Sequence, residues 1–426
     1  MRILLLSFIV FICSTGRAQV IYSDSFTKER LRYDYVIAGN SEYSCIYDQQ
    51  FTREPYWGGS TINLIDTFRY GELLVEVSDS ATGKLLYSRG YSSLFKDWQL
   101  TKEAKLKERA FTESLVIPFP KQAIEIVVFE RDSLLYFQHL HSSYLNPQLS
   151  GIRACNRREG IVVHDLLNSG PSSNKVDIAI IGEGYTTSEM IVFVEEAKKS
   201  METFFEWQPY KNYRDNFNFY AVFVPSDESG TDIPRDTVWR HTALNSNFYT
   251  FECERYLTIP DMICMREFVS EVPYDHVCVM VNTKKYGGGG VYNSFTVFSA
   301  KNELSGFLFL HEFGHAFAGL ADEYYTSPIA YEDSVSTTVE PYQPNVTTRV
   351  NFQDKWEDMI PDTIPVPTPN CETYAGTVGL FEGAMYKAKG VYRPAFDCAM
   401  KSKTYTSFCP VCRRAIERMI RFNCAE

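Results

Sequence analysis

The sequence predicts an α+β protein in which an N-terminal antiparallel β-sandwich precedes an α/β domain. Three observations point there. Short strand-like runs separated by polar turns fill the chain from about Ser23 to Leu145. Beyond Val176, strand-like and helix-like segments alternate. One segment, Leu304 to Ala318, combines helix-forming composition with large apolar residues on several sides and two histidines four apart. At 426 residues with 45% apolar content, the chain exceeds one usual folding unit and suits two packed domains.

The first residues read as an export signal. Arg2 is followed by the apolar run Ile3 to Cys13 and the small-residue stretch Gly16-Arg17-Ala18, which predicts cleavage after Ala18 and a signal peptide over 1–18. The run is too short for a permanent membrane helix, and with no second apolar segment no transmembrane anchor is expected. The expected location is the periplasm, the cell surface or the medium. Acylation at Cys13 is disfavoured by the bulky Ile12 before it. The formal charge is −11. Losing Arg2 and Arg17 makes it more negative still, which argues against nucleic acid or anionic membrane as a partner. Ten of the eleven cysteines survive cleavage, and export permits disulfides. Cys409-Pro-Val-Cys412 reads as a redox pair or half of a zinc knot, but without a companion CxxC the expectation is disulfides or buried thiols.

Residues 19–155 are assigned to the sandwich, with runs such as Leu73 to Ser78 and Ala123 to Phe129. His139 and His141 share a strand face without a Glu or Cys to complete a ligand set. Tyr56-Trp57 and Trp98 admit an alternative, a carbohydrate- or surface-binding protein with an inert second domain. Asn168 to Asn174 has linker composition, with the boundary placed earlier, near 155. In 156–426, strands are expected at Val176 to Ile181, Phe217 to Val224 and His276 to Val281, and a helix from Thr187 or Ser188. Gly182-Glu-Gly184 lacks the further glycine or Gly-Lys-Ser/Thr of a nucleotide loop and reads as a tight strand-to-helix turn. The acidic Ser226 to Asp232 reads as a solvated loop with a calcium ion as the alternative. The four glycines of Tyr286 to Val291 suggest an edge strand on which an extended peptide pairs.

In HEFGHAFAGLADEY, His311 to Tyr324, a helix projects His311 and His315 from one face within reach of one ion. Glu312 is rotated beside that ion, where a carboxylate takes a proton from water. One catalytic zinc with three protein ligands is the expected cofactor. Asp322 is seven residues past His315, about 10 Å along an unbroken helix, so the chain must turn; Gly319 supplies the residue that ends the helix. Glu323 remains a second candidate for the third ligand.

HEFGHAFAGLADEY resembles the metzincin zinc motif with one residue inserted before the glycine. Together with Asp177 to Tyr185, Phe381 to Tyr386, Tyr392-Arg-Pro and Cys398-Ala-Met400, it is similar to the secreted bacterial IgA-metallopeptidase family, over roughly 160 to 424, with the sandwich as an accessory domain. The resemblance implies a metzincin-like zinc-peptidase domain acting on an extended polypeptide, with His311, His315 and Asp322 as ligands and Glu312 as general base. It also implies Met400 as the turn methionine beneath the metal. Tyr386, Tyr392 and Tyr405 are candidates to hydrogen-bond an oxyanion, and Glu382 is a second-ranked alternative to Asp322. Amidase action on cell-wall peptides shares the same chemistry.

Overall fold

A computed structural model describes residues 20–149, 151–155, 158–326 and 336–424. The expected signal peptide, Cys13 included, lies outside the described residues.

Two four-stranded sheets form the N-terminal part. Their strands are β1 (Phe26–Gly39), β2 (Ser44–Glu54), β3 (Leu73–Asp79), β4 (Leu85–Tyr91), β5 (Arg109–Pro120), β6 (Ile124–Arg131), β7 (Phe137–Leu145) and β8 (Arg153–Ala154). The orders are β5-β1-β2-β8 and β4-β3-β6-β7. Alternate residues enter a shared core: Leu31, Tyr33, Tyr35 and Ile37 from one sheet, and Leu73, Val75, Val77, Ile124, Ile126 and Val128 from the other. This period of two is what burying one face of a strand requires. The opposite face of β1 is buried too. Arg30 and Arg32 share Glu54, and Arg30 donates to the carbonyls of Val269 and Val272 in the following domain. Trp98 lies in the core, Trp57 is half-buried in an edge contact with Tyr87, and Tyr56 is exposed.

The chain then enters a six-stranded sheet of β9 (Val162–Leu167), β10 (Val176–Glu183), β11 (Phe217–Phe223), β12 (His276–Val281), β13 (Gly288–Val291) and β14 (Phe295–Ser299), ordered β13-β14-β12-β10-β11-β9. The four central strands are parallel and the two edges antiparallel. Both faces are covered, which explains why the central strands read as nearly continuous apolar runs. Val176, Ile178 and Ile180 of β10 face one core, and Ala179 and Ile181 the other. Asn168 to Asn174 is not a spacer between domains, because it joins β9 to β10 within this sheet and Ser169 N–H donates to Asn218.

Among the described residues there are six α-helices: α1 (Tyr22–Ser25), α2 (Leu94–Gln99), α3 (Met190–Glu206), α4 (Met262–Phe268), α5 (Ser305–Ala318) and α6 (Pro410–Cys424). α5 lies on β13 and β14, with Phe309 stacked on Phe298 and Phe313 on Phe317. Burying that aromatic face fixes the helix rotation, and with it the direction of His311 and His315. A short hairpin, β15 (Phe381–Ala384) and β16 (Lys387–Arg393), follows.

Candidate metal centre

α5 ends at Gly319, whose φ of +63° is the left-handed conformation that glycine adopts without strain. Beyond it Ala321 to Tyr324 runs back past the helix. Asp322 Oδ1 then lies 3.3 Å from both His311 Nε2 and His315 Nε2, which are 3.2 Å from each other. Three donors about 2.0–2.1 Å from a tetrahedral ion would be separated by roughly 3.3 Å. The imidazoles are oriented from behind: His311 Nδ1 donates to the Ala399 carbonyl at 2.9 Å and His315 Nδ1 to the Leu320 carbonyl at 2.6 Å. Those bonds leave each Nε2 as the free acceptor that a metal needs. Asp322 Oδ1 is buried and has no hydrogen-bond partner. An orphaned carboxylate oxygen between two acceptor nitrogens fits a cation.

The electrostatics agree. Burial alone would raise the Asp322 carboxyl, but His315 and His311 hold it well below the usual carboxylate range. Burial opposes protonation of His315, yet Asp322 and Glu312 outweigh it and lift the imidazole to about 9. Each carboxylate thus favours positive charge beside it.

The three donors open on a cavity of ≈ 250 Å³ lined also by Glu312, Gly288, Tyr286, Arg255 and Tyr386. A Cβ on Gly288 would sit 2.8 Å from Glu312 Cγ, so the Glu312 side chain lies directly against β13. Burial pushes the Glu312 carboxyl up.

Two left-handed, non-glycine residues at the hairpin tip, Met385 (φ +48°) and Tyr386 (φ +62°), dock it against the returning segment. Met385 N–H donates to the Asp322 carbonyl and Tyr386 N–H to that of Tyr324. The Tyr386 hydroxyl donates to Asp322 Oδ2, leaving Oδ1 for the ion. Arg255 donates to the Tyr324 hydroxyl at 2.8 Å, which lies 3.4 Å from that of Tyr386. Neither Arg255 nor Tyr324 carries a motif role that would single it out in the sequence.

Other candidates lie elsewhere. Tyr392 pairs with Glu382 in the hairpin and Tyr405 is exposed, so neither lines the cavity. Glu382 accepts from Gly390 N–H, and Glu323 points away from the histidines. Met400 is fully buried in a turn under α5, its Sδ 3.1 Å from where a Gly314 Cβ would be. Across 226–232 Asp227 and Glu228 both bond His241, at Nδ1 and at N–H, and Asp232 accepts from Arg240 N–H; among the described residues these carboxylates do not converge as a calcium site requires. His141 bonds Asp48 and His139 bonds Ser142.

The glycine-rich segment forms the edge strand β13 of its sheet, but part of that edge is already paired. Gly288 already bonds the Arg255 carbonyl and Leu257 N–H, and the Tyr292 carbonyl accepts from Ser92 N–H. Gly289, Gly290 and Val291 lie between these two occupied positions. Gly290 itself is a contact with α5, since a Cβ there would lie 2.2 Å from the Glu312 carbonyl oxygen. The N-terminal part reaches the same cavity through Glu72 and Ser92, which flank β3 and β4, and Asp97 of α2.

Comparison with known families agrees with this centre: residues 164–374 and 370–420 match the model described as IgA Peptidase M64, and residues 21–142 match the Peptidase M64 N-terminus. The chain belongs to the M64 IgA-peptidase family. This is a metallopeptidase family, so the chain is a metal-dependent peptide-bond hydrolase whose substrate is a polypeptide. No curated protein matches it. Among the described residues of this M64 peptidase, no helix is long and apolar enough to cross a membrane.

Proposed function

We propose that the chain is an exported zinc endopeptidase with a metzincin-like catalytic domain over 156–426, an accessory domain over 19–155 and a signal peptide over 1–18. The observation that carries the reading is the triangle of His311 Nε2, His315 Nε2 and Asp322 Oδ1, with edges of 3.2–3.3 Å and an unpaired carboxylate oxygen at one corner. Two imidazoles and one carboxylate suit zinc, with a position left open toward the cavity. When bound, zinc supplies a Lewis acid that lowers the pKa of water and polarises a carbonyl.

Around it the protein's own groups do the rest. Glu312 accepts the proton of the attacking water and passes it to the departing amine. Its burial suits both duties, because a carboxyl raised above its ordinary range is a better base and still releases the proton. Tyr386 fixes Asp322 through Oδ2. Met400 fills the space beneath α5, and its turn supplies, at Ala399, the carbonyl that orients His311. An extended polypeptide reaches β13 at Gly290, with Glu72, Ser92 and Asp97 of the accessory domain forming the opposite wall. That wall makes the accessory domain part of substrate selection.

The test is a peptide-library digest with wild type and Glu312→Ala, with zinc measured on both. The variant is expected to keep zinc and lose cleavage. Equal cleavage by the two proteins removes Glu312 from the mechanism, and no cleavage by either favours a binding protein over a hydrolase.

A further inference from the structure

Directly behind the catalytic donors, four further potential ligands converge. Glu323, Cys398, Cys409 and Cys412 are all buried, and one ligand atom from each lies within 4.8 Å of all the others. Cys398 Sγ and Cys412 Sγ are 3.9 Å apart, and Cys412 Sγ is 3.1 Å from Glu323 Oε1. Thiolates about 2.3 Å from a tetrahedral ion stand roughly 3.8 Å apart. All three cysteines are free thiols here.

The surroundings are built for anionic sulfur. Met400 N–H and Cys409 N–H both point at Cys398 Sγ, at 3.5 and 3.3 Å, and Cys412 N–H points at Cys409 Sγ at 3.5 Å. Cys409 immediately precedes α6, where the helix dipole favours negative charge. Asn345 Nδ2 donates to Glu323 Oε1 at 2.9 Å and so fixes the orientation of the carboxylate. Glu323 Oε2, fully buried, has no partner. A buried carboxylate with an orphaned oxygen amid three thiols is costly unless a cation joins it.

We propose that Glu323, Cys398, Cys409 and Cys412 form a second, structural zinc site. Three sulfurs and one oxygen from protein close a tetrahedron and leave no position for water, the arrangement of a structural rather than catalytic ion. Soft thiolates favour zinc over magnesium or calcium. Binding displaces the three thiol protons into solvent. The ion ties the segment carrying Asp322, the Met400 turn and the start of α6 into one unit. That junction already holds a direct bond, Glu323 N–H to the Met400 carbonyl at 2.8 Å.

The experiment measures metal per chain in wild type and in His311→Ala/His315→Ala, the proteins purified without chelator, and records cobalt spectra of both. The double variant is expected to retain one zinc. Cobalt-loaded wild type and variant are expected to show thiolate-to-cobalt charge-transfer absorption, which a His-His-Asp site cannot give. The wild-type spectrum decides the matter even if the variant does not fold. One ion retained by the double variant supports this site whatever becomes of the peptidase reading. A metal-free, folded double variant, a cobalt spectrum without thiolate bands, or a disulfide joining any two of the three cysteines in non-reducing mass spectrometry would overturn it.

Discussion

Asp322 and Glu323 are neighbours in the chain and face opposite ways. Asp322 joins two imidazoles at the cavity; Glu323 joins three thiols behind it. Successive side chains of an extended segment alternate in direction, so a single stretch serves both clusters. The difference between them is access. Side-chain exposure at His315 and Asp322 is 18% and 12%, whereas Glu323, Cys398 and Cys412 are at 0%. Donor chemistry follows that division: two nitrogens and an oxygen where the cluster opens on the cavity, three sulfurs and one oxygen where it is sealed. Two carboxylates one residue apart thus take different tasks from their surroundings alone.

The largest expected effect comes from splitting that pair. Asp322→Asn removes the anionic corner of the open triangle, so kcat/KM is expected to fall on the order of a thousandfold with loss of the catalytic metal, while the melting temperature changes little. Glu323→Gln is expected to do the reverse. It costs about 3 kcal/mol of stability, read by denaturant titration, and leaves most of the activity in the folded fraction. Should Glu323→Gln abolish catalysis in a protein of wild-type stability, the two clusters would not be separate in function.

A smaller effect is expected on the open side only. In Gly288→Ala the new methyl meets the Glu312 side chain, at 2.8 Å from Cγ and 2.9 Å from Oε1, and more loosely the Val297 carbonyl oxygen at 3.0 Å. The Glu312 side chain can swing aside. A general base contributes about 10²–10⁴-fold, and displacing it is expected to cost roughly a hundredfold in kcat with metal content and fold intact. Gly290→Ala meets helix backbone instead and is expected to prevent correct folding, which makes it the control for a purely structural glycine. If Gly288→Ala matched wild-type kcat, Glu312 would not need the position it has against β13.

How much of this the sequence disclosed follows from where the signals lie. β10, β11 and β12 were readable because a strand buried on both faces is an unbroken apolar run, and α5 because its apolar stripe and the i, i+4 histidines agree. Gly319 marked the turn that returns Asp322. The sealed cluster was half visible in Cys409-Pro-Val-Cys412. Its other half was hidden: Cys398 is eleven residues upstream and not in a CxxC, and Glu323 is no part of any cysteine spacing. The four glycines from Gly287 to Gly290, three of them in β13, announced close approach without saying by what, and the partner proved to be the protein's own helix at Gly288 and Gly290. Tyr386 was one of three tyrosine candidates, with nothing local to separate it from Tyr392 and Tyr405. Its placement depends on a hairpin tip of Met and Tyr in left-handed conformation, where the usual sequence signal is Asn-Gly.

That hairpin supplies the finest test of the open cluster. The sequence suggested Tyr386 as an oxyanion donor, whereas in the fold its hydroxyl is given to Asp322 Oδ2. The two roles leave different marks. A residue that only orients a ligand changes metal affinity, typically by about 10–100-fold, and its effect vanishes once metal saturates. A residue that bonds the developing oxyanion lowers kcat at any metal concentration. Tyr386→Phe is therefore expected to weaken zinc binding by about tenfold in chelator competition and to restore near-wild-type kcat when zinc is saturating. A kcat deficit that persists at saturation would mean the hydroxyl leaves Asp322 for the substrate during turnover, and the open cluster would then be rearranging in the step where the sealed one stays fixed.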